Sequence, residues 1–250
     1  MYIVGHSVIA DLSTRGGFDF FGADCVALML PDIVRCHDWG YDRCLGPRPS
    51  STAGQLIRLH LLADWFIHFG EGTERERVGW AYQKMAVYAR GYEAFFSAAA
   101  ARGLYSGVPQ DSRRGFSHTM IEYSIDTWLI RNGYFEGRFE SVRDALGRVG
   151  REHGAGSMSW LRRTMAAEGV RSDSPDLATD AISFGDRVAR SQSSEEFVFR
   201  AGVKKFGLQD CDASLELMSA TLDKGLAQIP DEDIRLVVAR AARFLSRWLV

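Results

Sequence analysis

The sequence predicts an all-α protein, folded as a multi-helix bundle, and two observations carry this prediction. Apolar residues recur at the three- and four-residue spacing of amphipathic helices along most of the 250 residues, whereas no segment shows the alternation typical of a half-buried strand. A hydrophobic content of 46% is sufficient for a packed core. We expect a helical core over residues 1–131 and a helical extension over residues 132–250, packed together as one integrated domain.

The first predicted helices of the chain lie on either side of an interruption at a proline. The opening segment carries His6 and is followed by Gly16 and Gly17, which interrupt regular structure. The next apolar segment is predicted to be a buried helix interrupted near Pro31, because proline lacks the backbone N–H and restricts the residue before it. Residues 41–54 are rich in Gly, Pro and Ser, which favours a loop. Three polar residues lie between the proline and this loop: Asp32, His37 and Asp38.

Residues 55–70 form the most informative segment of the sequence. They are mostly apolar, but His60, Asp64 and His68 follow one another at intervals of four. Each four-residue step turns the helix by only about 40° beyond a full turn, so the three side chains project from one stripe of one helix. Burial of a carboxylate without a compensating charge is costly, so this stripe requires a partner.

A second helix is predicted to repeat this pattern. In the segment from Ser117, His118, Glu122 and Asp126 also lie four residues apart. Two such helices side by side would bring three imidazoles and three carboxylates together. Zn²⁺, Mn²⁺ and Fe²⁺ accept these ligands, so we predict a site for one or two divalent ions between the core helices.

The candidate residues are assigned two kinds of role. Imidazoles and carboxylates of the predicted core are the candidate metal ligands: His6, His37, Asp38, His60, Asp64, His118 and Glu122. Three further residues are assigned to catalysis: His68, Asp126 and Arg114. The first two would orient ligands or transfer protons, and the arginine would hold a substrate phosphate. Because the cysteines form no cluster, a catalytic metal site is favoured over a structural zinc site.

Two alternatives to a metal site stay open at this point. Arg58, Arg113 and Arg114 are rival partners that would neutralise carboxylates in a metal-free core. The polar stripes would also suit a non-catalytic helical protein that uses them to dimerise or to bind a small ligand.

Composition limits the partners and the compartment. A net charge of −2 gives no global reason to expect nucleic acid or an anionic membrane surface as a partner. The four cysteines include no CxxC pair, and no uninterrupted apolar run reaches about 18 residues. The N-terminal segment lacks the pattern of a signal peptide. We therefore expect a cytoplasmic protein, with a homodimer interface as one use of the C-terminal extension.

The pair His37-Asp38 resembles the signature of the HD-domain phosphohydrolases, in which an upstream histidine and later His and Asp residues bind one or two metals. The order of motifs is more similar to that of the bacterial acyl carrier protein phosphodiesterases over roughly the first 130 residues. Four segments carry this resemblance: GHSVIADL, ALMLPDIV with Asp32, the helix with His60, Asp64 and His68, and SHTMIEYSIDTWL.

This resemblance implies metal-dependent hydrolysis of a phosphoester or phosphodiester by metal-activated water. It implies an HD-domain-like fold and a small-molecule or phosphopantetheine-type substrate. The runner-up function is implied by the same superfamily, because some HD-type proteins hold two irons and use O₂ to oxidise a small molecule.

Overall fold

The computed structural model describes residues 3–14, 17–33, 44–72, 79–105, 112–151, 159, 162–164, 166–167 and 177–248. These residues form thirteen helices and no β-strand, with one antiparallel bridge between Tyr105 and Leu208. The prediction of an all-α protein is confirmed. None of the described helices has the length and apolar character needed to cross a membrane.

The helices are numbered in chain order, with these bounds: α1 Ile3–Ser13, α2 Cys25–Leu28, α3 Leu30–Ile33, α4 Thr52–Phe69, α5 Trp80–Lys84, α6 Ala86–Ala89, α7 Tyr92–Ala101, α8 Arg113–Arg131, α9 Phe139–Arg151, α10 Leu177–Arg190, α11 Ser194–Lys205, α12 Asp212–Leu226 and α13 Asp231–Trp248. The interruption predicted near Pro31 lies at Met29, between α2 and α3. Pro31 occupies the first turn of α3, where the missing N–H removes no helical hydrogen bond.

The chain divides into two compact units, each assembled from separate segments. The first unit combines Met1–Gly5, Ile67–Tyr134 and Ser191–Arg240, and the second unit combines His6–Phe66, Phe135–Arg190 and Ala241–Val250. Each unit therefore contains residues from both sides of the predicted boundary at 131/132. Helix α4 contributes its last residues to the first unit and the rest to the second.

Helix α8 is the central helix of the first unit, and it packs against α5, α6, α11 and α12. Ser112 caps it, because its side chain accepts a hydrogen bond from Gly115 N. The Tyr88 hydroxyl lies 2.5 Å from Ser124 Oγ and donates to the Leu222 carbonyl oxygen at 3.2 Å. A Cβ at Gly225 would lie 2.0 Å from Tyr88 Cζ, so glycine is required for this close packing of α6 against α12.

The second unit packs α9 along α10, with α2 against α9. Arg138 donates to Asp11 Oδ2 at 3.2 Å, and its guanidinium lies 4.1 Å from the centre of the Phe21 ring. Phe66 contacts Phe244 of α13 with ring centres 5.5 Å apart. These contacts hold α1 and α4, the two helices that carry most of the predicted ligands in this unit.

Candidate metal centres

The predicted ligands that the structure describes lie in two clusters. Cluster A consists of His6, Asp32, His60 and Asp64, and lies in the second unit. Cluster B consists of His68, His118 and Glu122, and lies in the first unit. Within cluster B, and within His6, Asp32 and His60 of cluster A, one ligand atom of each residue lies within 4.8 Å of the others.

Three helices bring cluster A together. His6 comes from α1, Asp32 from α3, and His60 and Asp64 from successive turns of α4. Asp64 lies between the two imidazoles, with Oδ1 3.3 Å from His6 Nε2 and Oδ2 3.5 Å from His60 Nε2. Asp32 Oδ1 lies 3.9 Å from His60 Nε2. The two imidazole rings stack at 3.7 Å with an angle of 12° between their planes.

The two histidines of cluster A are buried with incomplete hydrogen bonding. Their side chains are 0% and 1% exposed, for His6 and His60 respectively. Three of their ring nitrogens have no hydrogen-bond partner among the described residues: Nδ1 and Nε2 of His6, and Nδ1 of His60. A buried polar atom without a hydrogen bond lowers the stability of the folded state by about 1–3 kcal/mol, so native proteins rarely contain one. A cation bound by one nitrogen of each ring would offset this cost.

The charges in cluster A favour a cation. Burial, together with the charge of His60, lowers the pKa of His6 to about 3, so His6 is neutral and able to bind a metal. Burial acts to raise the pKa of Asp64, but the adjacent His6 and His60 hold it well below its usual range. Burial also acts to lower the pKa of His60, yet Asp32 and Asp64 raise it above the ordinary value. These two carboxylates thus stabilise a positive charge.

Cluster B is a tight triangle formed by the last turn of α4 and the first half of α8. His68 Nε2 lies 2.9 Å from His118 Nε2 and 2.9 Å from Glu122 Oε1, and His118 Nε2 lies 3.1 Å from the same oxygen. The side chains of His118 and Glu122 are 20% and 16% exposed, so solvent reaches the cluster. Burial acts to raise the pKa of Glu122, but interactions with both histidines hold it well below its usual range.

An aromatic ring and an arginine lie beside cluster B. The Tyr82 ring centre is 5.2 Å from that of His118 and 6.0 Å from that of His68. The guanidinium of Arg114 lies 5.4 Å from the centre of the same tyrosine ring. The predicted catalytic residue Arg114 and the predicted ligand His118 therefore lie against the same tyrosine ring. No role for this tyrosine was predicted from the sequence.

Gly79 fixes the position of this tyrosine relative to α4. Its N–H donates to the His68 carbonyl oxygen at 2.9 Å. A Cβ on Gly79 would lie 2.3 Å from the carbonyl oxygen of Ile67, so only glycine allows this approach. Helix α5 begins at the next residue, and it carries Tyr82 towards cluster B.

Asp126, the last residue of the predicted α8 stripe, contacts the start of α1. Its side chain is fully buried, and its Oδ1 accepts a hydrogen bond from the backbone N–H of Gly5 at 2.7 Å. Gly5 lies in the first turn of α1, where N–H groups have no partner within the helix. Asp126 thus caps α1, and it belongs to neither cluster.

His37 and Asp38 lie outside the described residues. Arg58 donates to the carbonyl oxygens of Cys44 and Gly46, each at 2.9 Å. Arg113 forms an exposed ion pair with Glu93 at 2.7 Å.

The sequence predicted that the two polar stripes meet at one site, whereas in the structure their residues belong to two clusters. His60 and His68 are eight residues apart, which is about 12 Å along a helix axis. One cation with bonds of about 2 Å cannot reach both. In the α4 stripe, His60 lies with His6 and Asp32 in cluster A. The last residue of the stripe, His68, lies with His118 and Glu122 in cluster B.

Comparison of the chain with protein-family models, with curated proteins and with solved structures found no match.

Proposed function

We propose that the protein is a metal-dependent hydrolase of a phosphoester or phosphodiester, and that cluster A holds its catalytic cation. One observation carries this proposal. His6 is fully buried and both its ring nitrogens are without a hydrogen-bond partner among the described residues, yet Nε2 faces the carboxylate of Asp64. A cation at this point would complete the bonding of the buried imidazole and of the carboxylate together.

The donor set of cluster A fits a divalent transition metal. Two imidazoles and two carboxylates are the mixed nitrogen and oxygen ligands that Zn²⁺, Mn²⁺ and Fe²⁺ accept. The two carboxylates of Asp32 and Asp64 balance the charge of a divalent ion, so a phosphate anion approaching the loaded site meets no net negative charge. When bound, such an ion lowers the pKa of a coordinated water to about 7 and polarises phosphoryl oxygens.

The residues of cluster A then have separate tasks. His6 and His60, being buried, bind the ion and keep its protein side free of water. Asp32 is 25% exposed and is the member most accessible to solvent. Its carboxylate is therefore the one suited to orient a water or to accept a proton from it. The order of the sequence motifs supports a phosphoester as the substrate class.

A second candidate function is oxidation of a small molecule by O₂ at iron. The observation that favours it is the ligand set itself, because two histidines with carboxylates also suit Fe²⁺ in oxygen-activating enzymes. Turnover distinguishes the two candidates. Hydrolysis of bis-p-nitrophenyl phosphate without O₂ supports the hydrolase, whereas O₂ consumption by the iron-loaded protein supports the oxygenase.

The proposed function is tested by elemental analysis and hydrolysis assays on one set of variants. We expect His6→Ala and Asp64→Asn to lose the cluster A ion and the hydrolase activity together. Asp11→Asn is the matched control, because Asp11 is an aspartate of the same unit that forms an exposed ion pair. Wild-type protein that holds less than about a tenth of an equivalent after addition of Mn²⁺, Zn²⁺ or Fe²⁺ would discard both enzymatic candidates.

A further inference from the structure

We propose that cluster B is a second cation site, and that Tyr82 and Arg114 beside it form a binding surface for an anionic group. This inference does not depend on the proposed hydrolase activity, because it rests on residues of the first unit alone.

The hydrogen-bonding pattern of cluster B cannot be satisfied by protons. Each Nε2 of His68 and His118 carries either one hydrogen or one lone pair, and an ionised Glu122 Oε1 only accepts. If both imidazoles donate to the carboxylate, two N–H groups face each other at 2.9 Å. If one imidazole donates to the other, the second presents a lone pair to the carboxylate at a distance of 2.9 or 3.1 Å. One of the three contacts is unfavourable in every arrangement.

A cation resolves this conflict because all three atoms then act as lone-pair donors to one centre. Donor atoms bound at 2.0–2.1 Å are about 2.9 Å apart in octahedral geometry and roughly 3.3 Å apart in tetrahedral geometry. The three distances in cluster B are 2.9, 2.9 and 3.1 Å. The spacing of the triangle is therefore close to that of three ligands of one metal ion.

The chemistry of the donors indicates which ions bind. Two of the three donors are imidazole nitrogens, which Zn²⁺ and Fe²⁺ bind well, whereas Mg²⁺ and Ca²⁺ prefer oxygen ligands. Three protein ligands leave at least one coordination position open, as in catalytic zinc sites. The 20% exposure of the His118 side chain allows solvent or a ligand to reach this position.

The surroundings of cluster B select an anion for the open position. A divalent ion with one carboxylate has a net charge of +1, and Arg114 adds a second positive charge close by. Arg114 forms no ion pair with a described residue, whereas its neighbour Arg113 is paired with Glu93. A phosphate or carboxylate bound to the ion would gain a charge-assisted hydrogen bond from Arg114, which Tyr82 holds in place by cation–π contact.

Metal stoichiometry tests the second site. Metal-free wild-type protein, prepared with chelator, is dialysed against increasing Zn²⁺ and is expected to bind about two equivalents. His118→Ala should bind one equivalent fewer, and Glu122→Gln, which preserves side-chain volume, should weaken one of the two equivalents at least about tenfold. Glu93→Gln is the matched control and should bind as wild type, because this glutamate is 72% exposed.

The outcomes separate the second site from the proposed function. If His118→Ala loses one equivalent and His6→Ala loses none, cluster B stands and the cluster A proposal fails. If both His118→Ala and Glu122→Gln retain wild-type stoichiometry and affinity, the inference of a second site is overturned.

Binding of inorganic phosphate tests the anion surface. We expect phosphate to bind the Zn²⁺-loaded protein, and Arg114→Ala to weaken this binding about tenfold while zinc stoichiometry is unchanged. Arg113→Ala, the adjacent arginine, should leave phosphate affinity unchanged. Equal phosphate affinity in Arg114→Ala and wild type would refute the role of Arg114.

Discussion

Replacing His6 with alanine is expected to destabilise the metal-loaded protein much more than the metal-free protein. In the metal-free protein, the substitution removes a fully buried side chain, which costs about 2–4 kcal/mol for a large-to-small change in a core. It also removes a buried imidazole whose Nδ1 has no hydrogen-bond partner among the described residues, which returns about 1–3 kcal/mol. The net loss without metal is therefore about 1 kcal/mol.

With metal, the same substitution also removes the stabilisation that comes from binding. An ion at one hundred times its Kd stabilises the folded state by about 2.7 kcal/mol, so the loss in loaded protein rises to about 4 kcal/mol. For a chain of this size, 1 kcal/mol shifts Tm by about 2–4 °C. We expect His6→Ala to lower Tm by about 2–4 °C in chelator and by roughly 8–16 °C in metal.

Differential scanning calorimetry of wild type and variant, each with chelator and with Zn²⁺, measures both losses. Comparing the change between the two conditions cancels any stabilisation from cluster B, since that cluster is unaltered in the variant. An equal Tm difference between variant and wild type with and without metal would show that His6 does not bind the ion.

Three further predictions concern residues outside the two clusters. Asp126→Ala should lower the free energy of unfolding by about 1–2 kcal/mol in urea, because it leaves the Gly5 N–H without its acceptor, while zinc stoichiometry stays at the wild-type value; loss of a metal equivalent would show that Asp126 is a ligand. Gly225→Ala should cost about 1–3 kcal/mol, since the added Cβ would overlap the Tyr88 ring, and a wild-type urea midpoint would contradict this packing. Burial raises the pKa of Cys25 to about 12, so ionisation of the unfolded chain should lower the free energy of unfolding as pH rises above about 9. This decrease should be smaller in Cys25→Ala, and equal pH slopes in variant and wild type would exclude the thiol as its source.

Local periodicity was sufficient to predict the helices that carry the polar stripes. The spacing of His60, Asp64 and His68 predicted one helix, and these residues lie within α4. The spacing of His118 and Glu122 likewise predicted α8. Such predictions succeed because the direction of a helical side chain depends only on its position along the same helix.

Which side chains meet across helices was decided by packing between distant segments. The side chains of His6 and Asp32 meet those of α4 from two other helices, and no local pattern contains this information. Asp126 has the same spacing from Glu122 as His118 has, yet it bonds to the start of α1. The spacing gives the face of the helix, whereas the neighbouring element determines what that face contacts.

Tyr82 and Gly79 show what the sequence could not indicate. An aromatic residue at helical spacing is usually part of a core, and a single glycine before a helix is common. Their relation to cluster B depends on the approach of Gly79 to the backbone of His68, a contact between residues that are eleven positions apart in the sequence.

The helical fold, and the presence of two helices with imidazoles and carboxylates on one face, can be read from the residue order because both properties follow from the period of the helix. The division of these groups into two clusters, with Asp126 in neither, becomes visible when the helices are packed. That division depends on contacts between residues far apart in the chain, such as His6 with Asp64 and His68 with His118.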